Sequence, residues 1–141
     1  YMGAISGAYE SSADKEGNYI HSAKLTIDDN LSTCWSEGVN GAGFGENIVF
    51  QFNGTDEVSG FEIWIWHQKS STLYYNNSRP KVLVAVDSNG RRERVHLNDY
   101  MGSQRVQFNS PMKTDSLRLI IDDVSYGNKW QDTCIAEIKF F

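Results

Sequence analysis

The 141-residue sequence lacks an excess of positive charge and lacks any long apolar run. Thirteen Lys and Arg face eighteen Asp and Glu, which leaves a net charge of −5. Nucleic acids and anionic membranes are bound mainly through cationic side chains, and a membrane-spanning helix needs about 20 apolar residues. We therefore expect no nucleic-acid partner and no membrane insertion. The 40% of hydrophobic residues exclude a disordered chain, and the length fits one domain.

Cysteine is scarce, and its spacing is uninformative about compartment. Cys34 and Cys134 lie a hundred positions apart and form no Cys-x-x-Cys motif, which excludes zinc-ribbon and thioredoxin-like sites. The chain begins at Tyr1 without a signal peptide, so we expect a piece of a larger polypeptide.

The motifs of common catalytic sites are also missing. The chain has no Gly-x-Ser-x-Gly elbow, no His-Glu-x-x-His pair and no phosphate-binding Gly-x-x-x-x-Gly-Lys-Ser/Thr loop. Glycosidase chemistry needs two carboxylates that face one bond; Glu37 and Asp132 could in principle meet, but nothing in the sequence marks them as a perturbed pair. We therefore expect no enzymatic activity.

No stretch keeps a helical period over ten residues, whereas period-two alternation is frequent. It predicts strands around 48–52, 61–65, 82–86, 117–121 and 134–140, with shorter ones at 95–97 and 106–108. The turn residues Asp87–Gly90 predict a hairpin, and 53–56 and 109–111 predict loops. About eight short strands indicate an all-β antiparallel sandwich.

Two long segments contain aromatic residues and have no predicted regular structure. The first runs from Asp28 to Gly45 and includes four glycines near its end. The second runs from His67 to Pro80. Loops of this length are usually functional or disordered, and their aromatic content argues against disorder.

Three motifs in these regions resemble a known family. They are IDDNLSTCWSEG at 27–38, the Lys69–Pro80 segment, and YGNKWQDTCIAEI at 126–138. Together they resemble discoidin-like, galactose-binding-fold domains, including family-32-type carbohydrate-binding modules. The pattern is closest to the NADase-type glycan-binding domain appended to bacterial proteins and toxins. The resemblance covers nearly the whole chain and implies a jelly-roll β-sandwich. Asp29 departs from the family glycine, and Asp tolerates the positive φ expected there.

The resemblance implies a structural calcium ion between the first loop and the last strand. Carboxylates, a hydroxyl and backbone carbonyls would supply the oxygens that this hard cation prefers. The residues that match are Asp28, Asn30, Thr33, Ala136 and Glu137. The alternative is a turn in which Asp28 and Thr33 only accept backbone hydrogen bonds. Both cysteines would lie near this loop, either as a disulfide or as two buried thiols.

The resemblance also implies a sugar site in the loops at one end of the sandwich. Sugars bind aromatic faces and planar hydrogen-bonding groups. The matching residues are Glu37, His67, Lys69, Tyr75, Asn77, Arg79, Tyr126 and Trp130. Trp130 or Tyr75 is the expected platform, with Arg79, Asn77 and Glu37 as partners of the hydroxyl groups. An alternative for Arg79 is an ion pair with Glu37 or Asp132 that braces the loops.

The implied function is a non-catalytic module that targets an attached enzyme or toxin to a glycan. It would be monomeric and would act on the bacterial cell surface or after secretion. The competing interpretation is a discoidin-like domain that docks on a protein or cell surface through the same loops. The sugar, the parent protein and the state of the cysteines stay open.

Overall fold

Extended backbone dominates the structure, a computed structural model that describes residues 5–39, 41–65 and 70–141. The helical elements of this part of the chain are a 3₁₀ turn at Ala23–Thr26 and a short helix α1 at Ser71–Asn76. The strands of the same part are β1 (Ile5–Glu10), β2 (Lys15–Glu16), β3 (Tyr19–Ile20), β4 (Trp35–Ser36), β5 (Asn47–Ile65), β6 (Arg79–Asp87), β7 (Arg92–His96), β8 (Ser103–Ser125) and β9 (Cys134–Phe140).

Seven strands join into one hydrogen-bonded sheet in the order β4-β9-β5-β8-β6-β7, and β1 pairs with β5. The pairings of the named strands are antiparallel. This confirms the predicted antiparallel β-sandwich. Strands β2 and β3 form a separate two-stranded hairpin.

The long strands β5 and β8 extend through both layers of the sandwich. The first half of β5 pairs with β1 and with residues 116–120 of β8. Its second half pairs with β9 and with residues 103–107 of β8. Register shifts between these halves mark where the strands bend. At the bend a side chain on Gly60 would lie 2.0 Å from the carbonyl oxygen of Val106, so only glycine fits.

The core between the layers consists of the inward residues of the alternating strands. Phe50, Phe61 and Leu117 are fully buried. The ring of Phe140 on β9 contacts Phe50 edge-on, with a centroid distance of 5.0 Å. Burial of each such side chain stabilises the fold by roughly 1.5–3 kcal/mol.

Two segments that were predicted to be loops lie within long strands. Residues 53–56 and 109–111 do not separate short strands but are the irregular stretches inside β5 and β8. Their turn-forming residues instead produce bulges, because several residues of one strand face a single residue of its partner. The predicted strands at 48–52 and 61–65 are therefore the two halves of β5, and those at 106–108 and 117–121 are parts of β8.

The predicted loop from residue 67 to 80 contains regular structure as well. Helix α1 occupies 71–76, and the side chain of Ser70 caps it by accepting the N–H of Leu73 at 3.2 Å. Strand β6 already begins at Arg79. The helix was not predicted because six residues are too few to show a 3.6-residue period.

The predicted hairpin at Asp87–Gly90 is confirmed. The Asp87 carboxylate accepts the backbone N–H groups of Asn89 and Arg91, each at 2.9 Å. Gly90 adopts a φ of 85°, which turns the chain from β6 into β7.

Candidate functional site

The first loop folds around its own carboxylate. One oxygen of Asp28 accepts the N–H of Asn30 at 3.0 Å, and the other accepts the hydroxyl of Thr33. The carbonyl of Asn30 accepts the same hydroxyl at 3.0 Å. Asp28 and Asn30 are exposed, and Thr33 is half-buried. The loop therefore brings three of the predicted oxygen donors together.

The last strand adds Glu137, which is 3% exposed. Its Oε2 accepts the N–H of Asp29 at 3.3 Å, whereas Oε1 is buried without a donor among the described residues. Burial and the nearby Asp28 and Asp29 charges raise the pKa of Glu137 to about 8. The carboxyl groups of Glu137 and Asp28 lie within hydrogen-bonding reach of each other. Two carboxyl groups this close need a proton or a cation between them.

Two backbone features fit the same site. Ala136 is the extra residue of a bulge in β9, because Trp64 pairs with Glu137 and Ile65 with Ile135, and bulges leave a residue outside the regular ladder. Asp29 has a φ of 59° and is the non-glycine residue with positive φ in the part of the chain that the structure describes. The positive φ expected at this position is confirmed.

The donor set of the first loop and β9 fits a hard cation. It combines two carboxylates, a hydroxyl and carbonyls, and one buried carboxylate oxygen has no partner. Within the described ranges, no three His, Cys, Asp or Glu side chains cluster as a metal-binding group, so any ion would depend on the hydroxyl and backbone oxygens too.

The cysteines lie side by side in the core. Cys34 and Cys134 are 1% and 3% exposed, and no disulfide joins them. Burial raises the pKa of the Cys134 thiol, and a hydrogen bond with Cys34 raises it further. The pairing of Ser36 with Cys134 brings the residues just before β4 next to the start of β9.

The predicted sugar surface is assembled from α1 and the 126–132 loop. Carbonyls at the end of the helix accept backbone N–H groups of this loop: Tyr75 from Asn128 at 2.9 Å, and Asn76 from Trp130 at 2.8 Å. Tyr75 is 46% exposed, Tyr126 58% and Trp130 43%. The ammonium group of Lys129 lies 4.4 Å from the Trp130 ring. Three predicted aromatic residues are thus exposed at one end of the sandwich.

Arg79 and Asn77 are not exposed at this surface. Arg79 is 5% exposed and forms a two-pronged ion pair with Asp99, with both N–O distances at 2.9 Å. Its third nitrogen donates to the carbonyls of Tyr74, Tyr75 and Asn77. Asn77 is 7% exposed, and its amide donates to the Leu73 carbonyl at 2.9 Å. In this structure both residues brace the helix, so neither offers groups to a sugar. The alternative prediction, in which Arg79 braces the loops through an ion pair, is correct in its role, but the acidic partner is Asp99 and not Glu37 or Asp132.

Glu37 is also inaccessible to a ligand. It is fully buried, and neither carboxylate oxygen has a hydrogen-bond partner among the described residues. Burial, followed by the charge of Asp132, raises its pKa to about 8, and Asp14 and Glu46 add to the effect. The nearby Thr133 backbone N–H lowers the pKa, but its contact does not reach hydrogen-bond geometry. His67 and Lys69 lie outside the described residues.

Sequence reasoning missed Asp99, Tyr74 and Phe44. Asp99 accepts the hydroxyl of Tyr74 at 2.9 Å as well as the guanidinium of Arg79, and these bonds outweigh burial and lower its pKa. Phe44 is 54% exposed in the glycine-rich part of the first loop. Phe44 lies between two glycines, and this pattern could have indicated an exposed aromatic residue in the first loop. The pairing of Asp99 with Arg79 has no such local signal, because the two residues are 20 positions apart.

The bent β-sandwich, with an oxygen-rich loop at β9 and aromatic residues in its end loops, defines a discoidin-like domain. The chain belongs to the family described as the NAD glycohydrolase translocation F5/8 type C domain, whose model matches residues 1–141. The family predicted from the motifs is thereby confirmed. No curated protein matches the chain.

Solved structures with the same fold share little sequence with the chain. The CBM32 domain of AlyQ, solved with 4,5-unsaturated mannuronic acid, has a TM-score of 0.71 and 17% identity over 100% of this chain and 98% of that chain. The family 32 module of C. perfringens NanJ, solved with galactose, has a TM-score of 0.69 and 20% identity over 95% and 91%. CpGH89CBM32-5 from Clostridium perfringens, solved with GalNAc-β-1,3-galactose, has a TM-score of 0.69 and 18% identity over 96% and 94%.

At sequence identities this low, the comparisons show that these solved domains and this chain share a fold.

Among the described residues, no helix is long and apolar enough to cross a membrane.

Proposed function

We propose that the chain is a non-catalytic carbohydrate-binding module, and that Tyr75, Tyr126 and Trp130 form its glycan-binding surface. The observation that carries the proposal is the exposure of these three aromatic side chains on segments held together by backbone hydrogen bonds. A pyranose ring has an apolar face that stacks on an aromatic ring, and such rings lose little conformational entropy on binding. Solved relatives of the same fold were obtained with sugars.

The module would act by holding an attached catalytic or toxin domain near its target. A weak glycan site raises the effective concentration of a tethered enzyme at the glycan. A solved AlyQ structure contains a CBM32 domain together with an alginate lyase domain, and this chain covers 32% of it. We place the module at the bacterial cell surface or outside the cell, as a monomer.

A calcium ion would stabilise the module without taking part in recognition. Asp28, Thr33 and Glu137 would bind it with their side chains, and Asn30 and Ala136 with their carbonyls. Support comes from the buried, unpartnered Oε1 of Glu137 and from the close approach of the two carboxyl groups. The ion would supply only the charge that lets both carboxylates ionise at neutral pH.

Binding of the wild-type chain and of Trp130→Ala to a glycan array tests the proposed function. Removing the exposed ring should weaken binding about tenfold or more, because truncation of an aromatic anchor costs above 1 kcal/mol. Tyr9→Ala is the matched control, since Tyr9 is 60% exposed on β1 and should have no effect. Unchanged binding in Trp130→Ala would contradict the assigned surface. A wild-type chain that binds a protein but no glycan would favour the docking alternative.

A further inference from the structure

A cleft of about 360 Å³ lies beside the aromatic surface, between the glycine-rich part of the first loop and the 126–132 loop. Its lining residues come from both segments: Val39, Gly41, Ala42, Gly43 and Phe44 from the first, and Tyr126 and Gln131 from the second. Its volume lies in the range of small-molecule sites.

The glycine-rich segment that lines the cleft is held by interactions with the body of the domain. Gly43 has a φ of 78°, and a side chain there would lie 2.2 Å from Cγ of Glu37. The carbonyl of Ala42 accepts the hydroxyl of Thr133 at 2.7 Å, and the N–H of Gly45 donates to the Ile121 carbonyl at 2.8 Å. The backbone around Ala42, Gly43 and Gly45 is therefore held in place by the domain itself, which lowers the entropic cost of ordering it on binding.

The chemistry of the walls suits an uncharged sugar residue. Phe44 and Tyr126 are 54% and 58% exposed, and both offer ring faces for an apolar sugar face. The amide of Gln131 and the glycine backbone offer donors and acceptors for hydroxyl groups. Among the described residues, no charged side chain lines the cleft, so nothing there would select an acidic group.

The cleft is continuous with the proposed sugar platform. Tyr126 belongs to both, and Gln131 in the cleft directly follows Trp130. A glycan bound on Trp130 therefore has a neighbouring surface for its next residue.

We propose that this cleft is a second sugar subsite, with Phe44 as its platform, and that the chain selects oligosaccharides over single sugars. This inference rests on the proposed function. It assigns the Trp130 surface to one sugar residue and the Phe44 cleft to an adjoining neutral residue.

The test compares galactose and N-acetylgalactosamine with GalNAc-β-1,3-galactose on one array. The wild-type chain should bind the longer member of a series about tenfold more tightly or better, because each subsite contributes its own free energy. Phe44→Ala should lose that gain and keep the affinity for the single sugar. Trp130→Ala should weaken both, and Tyr9→Ala should change neither. Thermal melting of each variant verifies that it is folded.

The outcomes separate this inference from the proposed function. If Phe44→Ala keeps the full preference for longer glycans, the cleft is not a subsite, although sugar binding stands. Equal wild-type affinity for single sugars and oligosaccharides also overturns the inference. If the wild-type chain binds no glycan on a broad array, the proposed function fails together with the inference.

Discussion

Glu37 is a carboxyl group buried against other acids. No arginine or lysine of the described chain forms an ion pair with it, and Asp132, Asp14 and Glu46 surround it with negative charge. Its pKa of about 8 in the folded chain compares with a usual value of 4.5. The folded state therefore keeps a proton that the unfolded state has released, and stability falls as the pH rises from about 4.5 to 8.

Glu37→Gln should remove this pH dependence. The free energy of unfolding of the wild-type chain should decrease by about 1.4 kcal/mol per pH unit more than that of the variant within this window. Urea unfolding at pH 5 and pH 8 in a chelating buffer measures both slopes, and the exposed Glu57→Gln is the control. Parallel slopes for wild type and Glu37→Gln would show that Glu37 is ionised in the folded chain.

The burial of individual polar residues was the part of the site that the sequence could not predict. Arg79, Asn77 and Glu37 are residue types that bind sugars, and each lies in or next to a predicted loop. Asn77 is held by the unpredicted helix α1, and Arg79 pairs with Asp99, which is distant in sequence. Glu37 is buried against Gly43 of the glycine-rich part of the first loop. The exposure of Tyr126 and Trp130 agrees with their predicted loop, whereas Tyr75 is exposed on the unpredicted helix α1, where the neighbouring Tyr74 is fully buried.

At the scale of elements, the Arg79–Asp99 pair joins three segments. Arg79 begins β6, Asp99 lies between β7 and β8, and Tyr74 on α1 donates its hydroxyl to the same carboxylate. The Arg79 guanidinium also lies 5.2 and 5.3 Å from the ring centres of Tyr74 and Tyr75. This network sets where α1 lies, and with it the position of Tyr75 in the glycan-binding surface.

Arg79→Ala should therefore destabilise the domain by about 3 kcal/mol, because it leaves part of a mostly buried ion pair and three carbonyls without their donor. The matched control is Arg94→Ala, since Arg94 and its partner Asp122 are 57% and 43% exposed and such pairs contribute at most about 1 kcal/mol. Chemical unfolding measures both losses. Similar small losses in the two variants would contradict a bracing role for Arg79.

The strands β5 to β9 were predictable because alternation is a local property, whereas β1 to β4 were not predicted. In β5 and β8 the residues of the period-two pattern are buried as expected. In β6 the buried residues are Leu83 and Ala85 rather than Val84 and Val86, and in β9 residues 134–138 are all buried. Continuity of β5 and β8 was not predictable, because Asn, Gly and Pro are common in both loops and bulges. Whether the chain turns or bends at such residues depends on partner strands distant in sequence.

At the scale of the whole molecule, the first loop and the last strand meet across about a hundred positions. Trp35 pairs with Ile135 in β4 and β9, and Asp29 also pairs with Lys139, with an N–O distance of 3.1 Å. Asp28 and Glu137 meet at this junction, where a cation would join distant parts of the chain. Any ion that binds only the folded junction stabilises the whole domain.

Calcium should therefore raise the melting temperature of the wild-type chain. At a hundredfold excess over the dissociation constant the gain is about 2.7 kcal/mol, which corresponds to a rise of about 5–10 °C. Glu137→Gln should abolish this rise. In a chelating buffer at pH 8, however, it should melt above the wild type, because it removes one of two adjoining carboxylates. Glu57→Gln should respond to calcium like the wild type. If the Glu137→Gln and wild-type chains gain equally from calcium, the ion binds elsewhere, and the junction is held by a shared proton.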